Sequence, residues 1–351
     1  MPQPRDARPP ALAAPTMKLL RTLFDGFTLA LIATVALASL LPCEGRAAVF
    51  FDRLTIAGIA LLFFLHGARL SRDAIIAGLL HWKLHLVVLL TTFVVFPLVG
   101  LAFRPLAGTL LPADLALGLL FLCCLPSTVQ SSIAFTAIAR GNVPAAVCSA
   151  SASNLLGVFA TPLLVALLVA AQGSTGSPVK AIGDIVLQLL VPFVAGHLLR
   201  PWIGAWVARW RRLLAYTDRG TILLVVYVAF SESVAEGLWR QVPPPSLLVV
   251  LACVVLLLAL MLALTTWGSR LLGFAKEDEI TIVFCGTKKS LATGVPMAKI
   301  LFAGHPGLGM IVLPIMLFHQ LQLMACAVIA QHYARRPGAS DPPRPRTGTA
   351  P

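Results

Sequence analysis

Long apolar runs alternate with short polar segments along almost the whole chain. Ten runs follow this pattern, at residues 24–42, 48–68, 82–103, 113–138, 143–171, 179–199, 220–239, 246–268, 279–303 and 307–333. Each run is close to or above the roughly 20 helical residues that cross a hydrocarbon core about 30 Å thick. The pattern therefore predicts an all-α integral membrane protein with ten transmembrane helices.

Polar segments without such runs divide the chain into parts. Residues 1–20 and 337–351 are predicted to be disordered tails, because they are rich in Pro and polar residues. The segment 172–178, QGSTGSP, is predicted to link two halves, residues 21–171 and 179–336. Each half contains five runs, and an odd number of crossings gives the halves opposite orientations. We therefore expect two inverted five-helix repeats.

The composition supports membrane insertion and suggests an orientation. Hydrophobic residues make up 58% of the chain and charged residues 12%, with a mean hydropathy of +0.89. If the N-terminus is cytoplasmic, 19 of the 27 Lys and Arg residues fall on the cytoplasmic side and 6 on the other. The other two, Lys288 and Lys289, lie inside the ninth run. This bias predicts a bacterial inner-membrane protein with both termini in the cytoplasm. It also explains the net charge of +13 as a topology signal rather than a nucleic-acid site.

Helix-breaking and polar residues interrupt the fourth and ninth runs. Pro126 begins the first interruption, and Gly286 begins the second 160 residues later. Their polar residues are Ser127, Thr128, Gln130, Ser131 and Ser132 in the fourth run, and Thr287, Lys288, Lys289 and Ser290 in the ninth. Broken helices at matching positions of two halves are typical of transporter sites. We predict that a small solute and any coupling ion bind between the interruptions.

Two adjacent lysines inside an apolar run require an explanation. A lysine at the centre of a span costs about 2.5–3.5 kcal/mol on insertion scales, so such residues usually face a cavity or a partner. Lys288 and Lys289 could instead extend to the membrane surface. We favour a role as anchors for an anionic solute. A buried lysine can also titrate, which leaves proton coupling open.

Four further residues are candidates, each with a structural alternative. Ser153 and Asn154 in the fifth run could bind solute or ion, although small residues there also suit close helix packing. Glu232 in the seventh run and His319 in the tenth could couple an ion or a proton. The alternatives are a headgroup position for Glu232 and a structural hydrogen bond for His319, which shares a helix face with Gln322.

Enzyme and cofactor signatures are absent from the sequence. It contains no HExxH, GxSxG, P-loop or Rossmann glycine pattern. The seven cysteines lie mostly in apolar runs, and no Cys/His spacing matches a zinc site. The histidines leave an intramembrane metalloenzyme as a remote alternative. We predict no enzymatic activity, no cofactor and no metal.

Three stretches resemble the bile acid:sodium symporter superfamily. They are the segment beginning CCLPSTVQSS at Cys123 and continuing to Leu164, KKSLATGVPMAKILFAGH from Lys288 to His305, and FHQLQLM from Phe318 to Met324. The last two are similar to the divergent YfeH-like branch, which includes solute carrier family 10 member seven. The resemblance covers about residues 19–336. It implies ten helices in two inverted repeats, whose broken fourth and ninth helices cross in mid-membrane.

The same resemblance places sodium coupling in doubt. Where sodium-binding relatives have Glu and Gln in the ninth helix, this chain has Phe284 and Lys288. Oxygen ligands are thus replaced by an aromatic ring and a cation, neither of which suits a hard cation. Other ligands of relatives fall on or near Ser131 and Ser132, and on Ser153 and Asn154. We therefore expect Lys288 to take the place of a bound cation, so that transport does not require sodium.

These observations together predict a secondary transporter. It would move a small, anionic organic solute across the bilayer by alternating access. The remaining alternative is a non-transporting membrane regulator of ion homeostasis. The expected partners are the solute, a coupling ion that the sequence does not identify, and the lipid bilayer, with no nucleic acid.

Overall fold

The computed structural model describes residues 26–69, 81–170, 186–235 and 243–336, with the isolated residues 237 and 240. All regular secondary structure in these residues is helical. Both predicted tails, the linker 172–178 and the start of the sixth predicted run lie outside the described residues. Of the described helices, six are long and apolar enough to cross a membrane. The chain is therefore an all-helical, multi-pass membrane protein.

The helices follow the predicted runs closely. In chain order they are α1 Gly26–Leu40, α2 Gly45–Arg69, α3 Trp82–Leu110, α4 Ala113–Cys124, α5 Gln130–Ile138, α6 Val143–Ala170, α7 Val191–Arg209, α8 Arg211–Ala235, α9 Pro244–Leu271, α10 Lys276–Gly286, α11 Leu291–Leu301 and α12 Leu308–Ala334. Both predicted interruptions are present, because α4 and α5 divide the fourth run, and α10 and α11 divide the ninth. The helix α3 contains a π-helical turn, Thr91–Val95.

Two helices extend beyond the predicted spans. The sequence pattern ends the sixth span at residue 199 and begins the seventh at residue 220. In the structure α7 continues to Arg209 and α8 begins at Arg211, so that Trp210 alone separates them. Polar residues ended the predicted spans there, but a polar segment can remain helical where a helix extends beyond the apolar core.

Packing divides the described helices into two groups. The first group consists of α1, α2, α7 and α8, and the second of α3 to α6 with α9 to α12. The contact between α2 and α7 is very close, because a Cβ added to Gly67 would overlap the Phe193 carbonyl and one added to Gly196 would overlap the Phe64 carbonyl. The helix α8 packs on α11 and α12 and so joins the groups.

Candidate functional site

The two helix breaks lie against each other. The break between α4 and α5 contains Pro126, and the break between α10 and α11 ends at Ser290. The Ser290 N–H donates to the Pro126 carbonyl over 2.9 Å. Gly157 of α6 allows the first break to pack closely, since a Cβ there would lie 2.6 Å from the Pro126 ring. The predicted contact between the two interruptions is therefore present.

Side chains satisfy the backbone carbonyls that the end of α4 leaves free. Helix ends expose unpaired carbonyls, and the bilayer core offers no water to pair with them. The Cys124 carbonyl accepts from the Thr161 hydroxyl over 2.8 Å, and the Ser127 carbonyl accepts from Asn154 Nδ2 over 2.6 Å. The Cys123 and Leu125 carbonyls both accept from the Lys289 ammonium group. The break is thus stabilised by residues far from it in sequence.

Lys289 connects three helices through its ammonium group. Its Nζ donates to the carbonyls of Leu125 over 2.7 Å, Cys123 over 2.9 Å and Thr92 over 3.0 Å. Its side chain is fully buried, and Nζ lies 4.0 Å from the centre of the Phe96 ring. Three oxygens therefore surround one cation.

The Thr92 carbonyl is free to bind Lys289 because of a local irregularity in α3. In an α-helix the Thr92 carbonyl would accept from the Phe96 N–H. Here the Phe96 N–H donates to the Thr91 carbonyl instead, in the π-helical turn. The next residue, Pro97, has no N–H. The turn and the proline together leave the Thr92 carbonyl available to Lys289.

Gln322 of α12 binds the backbone of the second break. Its Oε1 accepts from the Lys289 N–H and its Nε2 donates to the Lys289 carbonyl, both over 2.8 Å. Nε2 also lies 2.9 Å from His319 Nδ1. His319 thus lies next to the second break, and its contact with Gln322 is the structural alternative that its spacing suggested. Gln322 thus holds the backbone of Lys289 in place, and with it the position of the Lys289 side chain.

Lys288 has a different environment from its neighbour. It is also fully buried, but among the described residues its Nζ has no hydrogen-bond partner. The nitrogen lies 3.9 Å from the centre of the Phe135 ring and 5.5 Å from that of Phe284. Two aromatic faces can stabilise an ammonium ion. They leave its three N–H donors without an oxygen acceptor.

Hydroxyl groups connect the two breaks on the Lys288 side. The Thr128 hydroxyl lies 2.7 Å from that of Ser131 and 3.0 Å from that of Ser132. The Ser132 hydroxyl donates to the Phe284 carbonyl over 2.9 Å. The Thr287 hydroxyl donates within its own helix end, to the Val283 carbonyl. These residues therefore stabilise the breaks as well as lying beside them.

Residues of α6 and α11 complete the polar network. Ser153 accepts from the Ser127 N–H over 3.0 Å. Ser290 caps α11, because its hydroxyl accepts from the Thr293 N–H. The Thr293 hydroxyl donates to Asn154 Oδ1 over 3.0 Å. Most of the network is buried, but Gln130 is exposed and Ser131 and Asn154 are partly exposed. We call these three polar side chains, which are not fully buried, the open face of the first break.

Glu232 is the one predicted residue that the structure places in an ion pair away from the breaks. Its carboxylate accepts from Lys299 Nζ over 2.9 and 3.1 Å. Lys299 is also 3.1 Å from an Asp52 carboxylate oxygen. Lys299 follows Ser290 by nine residues in the ninth run, roughly 13 Å along a helix. Glu232 is therefore part of a group of ion pairs that joins α2, α8 and α11.

Sequence reasoning missed several groups that contact the breaks. The carbonyls of Thr92 and α4 were not candidates, because backbone acceptors have no residue signature. The Thr161 hydroxyl was not a candidate because a single Thr in an apolar run does not stand out from the pattern. Pro97 gives no signal for Thr92 either, because in an α-helix it would free the Phe93 carbonyl four residues earlier. Among the described residues, no cluster of three His, Cys, Asp or Glu side chains could bind a metal ion. All seven cysteines are buried and free of disulfides.

Comparison with known proteins places the chain among transporters. Residues 25–335 match the SBF-like CPA transporter family. An uncharacterized protein of Pseudomonas aeruginosa is 65% identical over 90% of this chain and 95% of its own. Putative symporter YfeH of Escherichia coli is 56% identical over 91% and 96%. Sodium/bile acid cotransporter 7 of Xenopus tropicalis is 30% identical over 87% and 90%.

Proposed function

The chain belongs to the SBF-like CPA transporter family, and from that premise we propose that it is a secondary transporter of the bacterial inner membrane. It moves a small, anionic organic solute by alternating access. Its ten spans form two inverted repeats, with both termini in the cytoplasm. The observation that most supports this function is the contact between two broken helices around two buried lysines. Irregular backbone at membrane depth is tolerated where it is buried in protein or lines a cavity, and in transporters such breaks form the solute site.

The solute binds at the open face of the first break. Gln130, Ser131 and Asn154 offer hydrogen-bonding groups there. Lys288 lies behind this face, next to Phe284, whose carbonyl accepts from Ser132. A positive charge in a medium of low dielectric attracts an anion without direct contact. Lys288 therefore gives the site its preference for an anion, and it is the candidate proton carrier.

Lys289 takes the place of a bound cation. Carbonyl oxygens are the ligands that hard cations use, and three of them already bind its ammonium group. The sequence alone suggested this role for Lys288, but the oxygen contacts favour Lys289. A sodium ion about 4 Å from an ammonium would be repelled by about 4 kcal/mol at an effective dielectric near 20, roughly a thousandfold in affinity. Transport therefore does not require sodium.

A salt bridge closes the transporter at one end. Lys299 of α11 joins the second helix group to Asp52 and Glu232 of the first. At the opposite end the ion pair between Arg69 and Asp218 lies within the first group. Separation of the groups at the Lys299 end would break ion pairs, whereas the Arg69 pair would move as a unit. The two helix groups can therefore move against each other, with the Lys299 end as the end that opens.

A cross-linking experiment tests the closed end. Asp52→Cys with Lys299→Cys, joined by a bifunctional thiol reagent in a background without other cysteines, should stop solute uptake. The matched control is Arg69→Cys with Asp218→Cys, whose cross-link stays within one helix group and should leave uptake intact. Equal loss of uptake in both pairs would contradict movement between the groups.

The transport function itself is tested by flux. A thermal-shift screen of organic acids identifies solutes that bind the purified protein, and uptake of the best ones is then measured in proteoliposomes. Sodium is replaced by potassium or choline at several pH values. Uptake should persist without sodium, and a strict sodium requirement at every pH would overturn the role of Lys289. Absence of flux for every solute that binds would favour the non-transporting regulator instead.

A further inference from the structure

The corner between α7 and α8 concentrates positive charge that the transport mechanism does not use. Arg209 ends α7, and Arg211 and Arg212 begin α8, with Trp210 between them. All three arginines are exposed, and none pairs with a carboxylate among the residues that the structure describes. Together with Ala208, Trp210 and Leu213 they line a shallow surface concavity of about 570 Å³, which is formed by this corner alone and is largely open. The structure therefore contains a basic recess at one end of the first helix group.

Positive charge makes this recess a favourable place for an anion. The first turn of α8 contains no acidic residue. The N-terminus of α8 has free N–H groups and partial positive charge, which the C-terminus of α7 one residue away partly offsets. The arginines are therefore the main source of positive charge at the corner. Guanidinium groups bind phosphate oxygens with two parallel hydrogen bonds. A phosphate in the recess would pair both the arginines and the start of the helix.

Aromatic side chains place the recess at the level of lipid headgroups. Trp202, Trp206 and Trp210 are exposed over 76%, 54% and 45% of their surface. Tryptophans in membrane proteins concentrate at the interface between headgroups and acyl chains. Leu213 and Tyr216, exposed over 58% and 69%, add apolar surface beside the arginines. Acyl chains could pack on this surface while a headgroup occupies the recess.

We propose that the α7–α8 corner is a binding site for the phosphate headgroup of an anionic phospholipid. Basic pockets between transmembrane helices bind lipids such as cardiolipin, which has two phosphates. A topology signal needs only positive charge in a loop, whereas this site presents three arginines to one recess beside exposed tryptophans. The bound lipid stabilises the first helix group in one leaflet. The second group, which contains both breaks, is then free to move against it.

The test is lipid binding to the full-length protein. Cardiolipin, phosphatidylglycerol and phosphatidylcholine are titrated in detergent and the bound lipid is counted by native mass spectrometry, with inorganic phosphate as a further arm. The variant replaces Arg209, Arg211 and Arg212 by Gln. The matched control replaces Arg46, Arg53 and Arg240 by Gln, which are exposed and belong to the opposite end of the first group.

Cardiolipin should bind more tightly than phosphatidylcholine to the unchanged protein and to the control. The triple variant should bind it about a hundredfold more weakly, from the typical contribution of three basic residues near an anionic membrane surface. If the triple variant does not fold, Arg211→Gln alone should weaken binding about fivefold. Equal weakening in variant and control, equal affinity for phosphatidylcholine, or inorganic phosphate displacing the lipid at millimolar concentration would overturn the proposal.

Discussion

Replacing the two adjacent lysines by methionine should separate their roles sharply. Methionine has a similar length and no hydrogen-bond donor, so Lys289→Met and Lys288→Met are matched changes at neighbouring, fully buried positions. Lys289→Met leaves the carbonyls of Thr92, Cys123 and Leu125 without their donor. Each unsatisfied buried group costs about 1–3 kcal/mol. Relative to Lys288→Met, which removes the same buried charge, and with some relaxation of the backbone, we expect a loss of about 3–6 kcal/mol of stability.

Lys288→Met removes no hydrogen bond, because Lys288 Nζ has none among the described residues. It loses the interaction with the Phe135 and Phe284 rings, worth about 2 kcal/mol when desolvated. It also removes a buried charge, whose effective burial costs several kcal/mol. The stability of this variant should therefore be unchanged or higher. Its solute uptake should nevertheless be lost, since the positive charge behind the open face is gone.

The measurement is thermal unfolding of both purified variants in one detergent, followed by the circular dichroism of the helices. At about 2 °C for each kcal/mol, Lys289→Met should lower the melting temperature by at least about 6 °C relative to Lys288→Met. Equal melting temperatures would refute the reasoning, because the three carbonyl contacts would then contribute nothing. A greater loss in Lys288→Met would show that the wrong lysine has been assigned the structural role.

Three further predictions concern accessibility, coupling and orientation. In a background without other cysteines, Gln130→Cys should react with a small polar thiol reagent, whereas Ser153→Cys, which is buried, should react much more slowly; equal rates would place the open face elsewhere. Lys288→Gln should lose uptake as Lys288→Met does and gain no sodium dependence, because Lys289 still occupies the three carbonyl oxygens, while uptake by the unchanged protein stays independent of sodium; a sodium requirement in the unchanged protein contradicts this. A reporter active only in the cytoplasm should be active when fused after Pro351, and a silent fusion would overturn the predicted orientation.

The apolar runs and their interruptions could be predicted from sequence because both depend on local composition. A run of about 20 apolar residues is sufficient for a spanning helix. Pro126 disrupts helical hydrogen bonding wherever the chain places it. None of these features requires knowledge of a distant contact.

The different environments of the two lysines could be decided only by the tertiary structure. Lys288 and Lys289 are chemically identical neighbours in the same break. Their partners come from other helices: Lys289 bonds to a π-helical turn of α3 and the end of α4, whereas Lys288 lies on the ring of Phe135. The sequence contains the donors, but the free carbonyls exist only where the folded helices end or bulge.

Glu232 shows the same limit. Its position within an apolar run made it a coupling candidate, because an acid in a membrane usually has a function. Whether it contacts the breaks depends on which helix packs beside it. The structure pairs it with Lys299, 67 residues away. Local sequence determined where charge enters the membrane, and only the packing of distant helices determined which charges meet, because no local pattern encodes their separation in space.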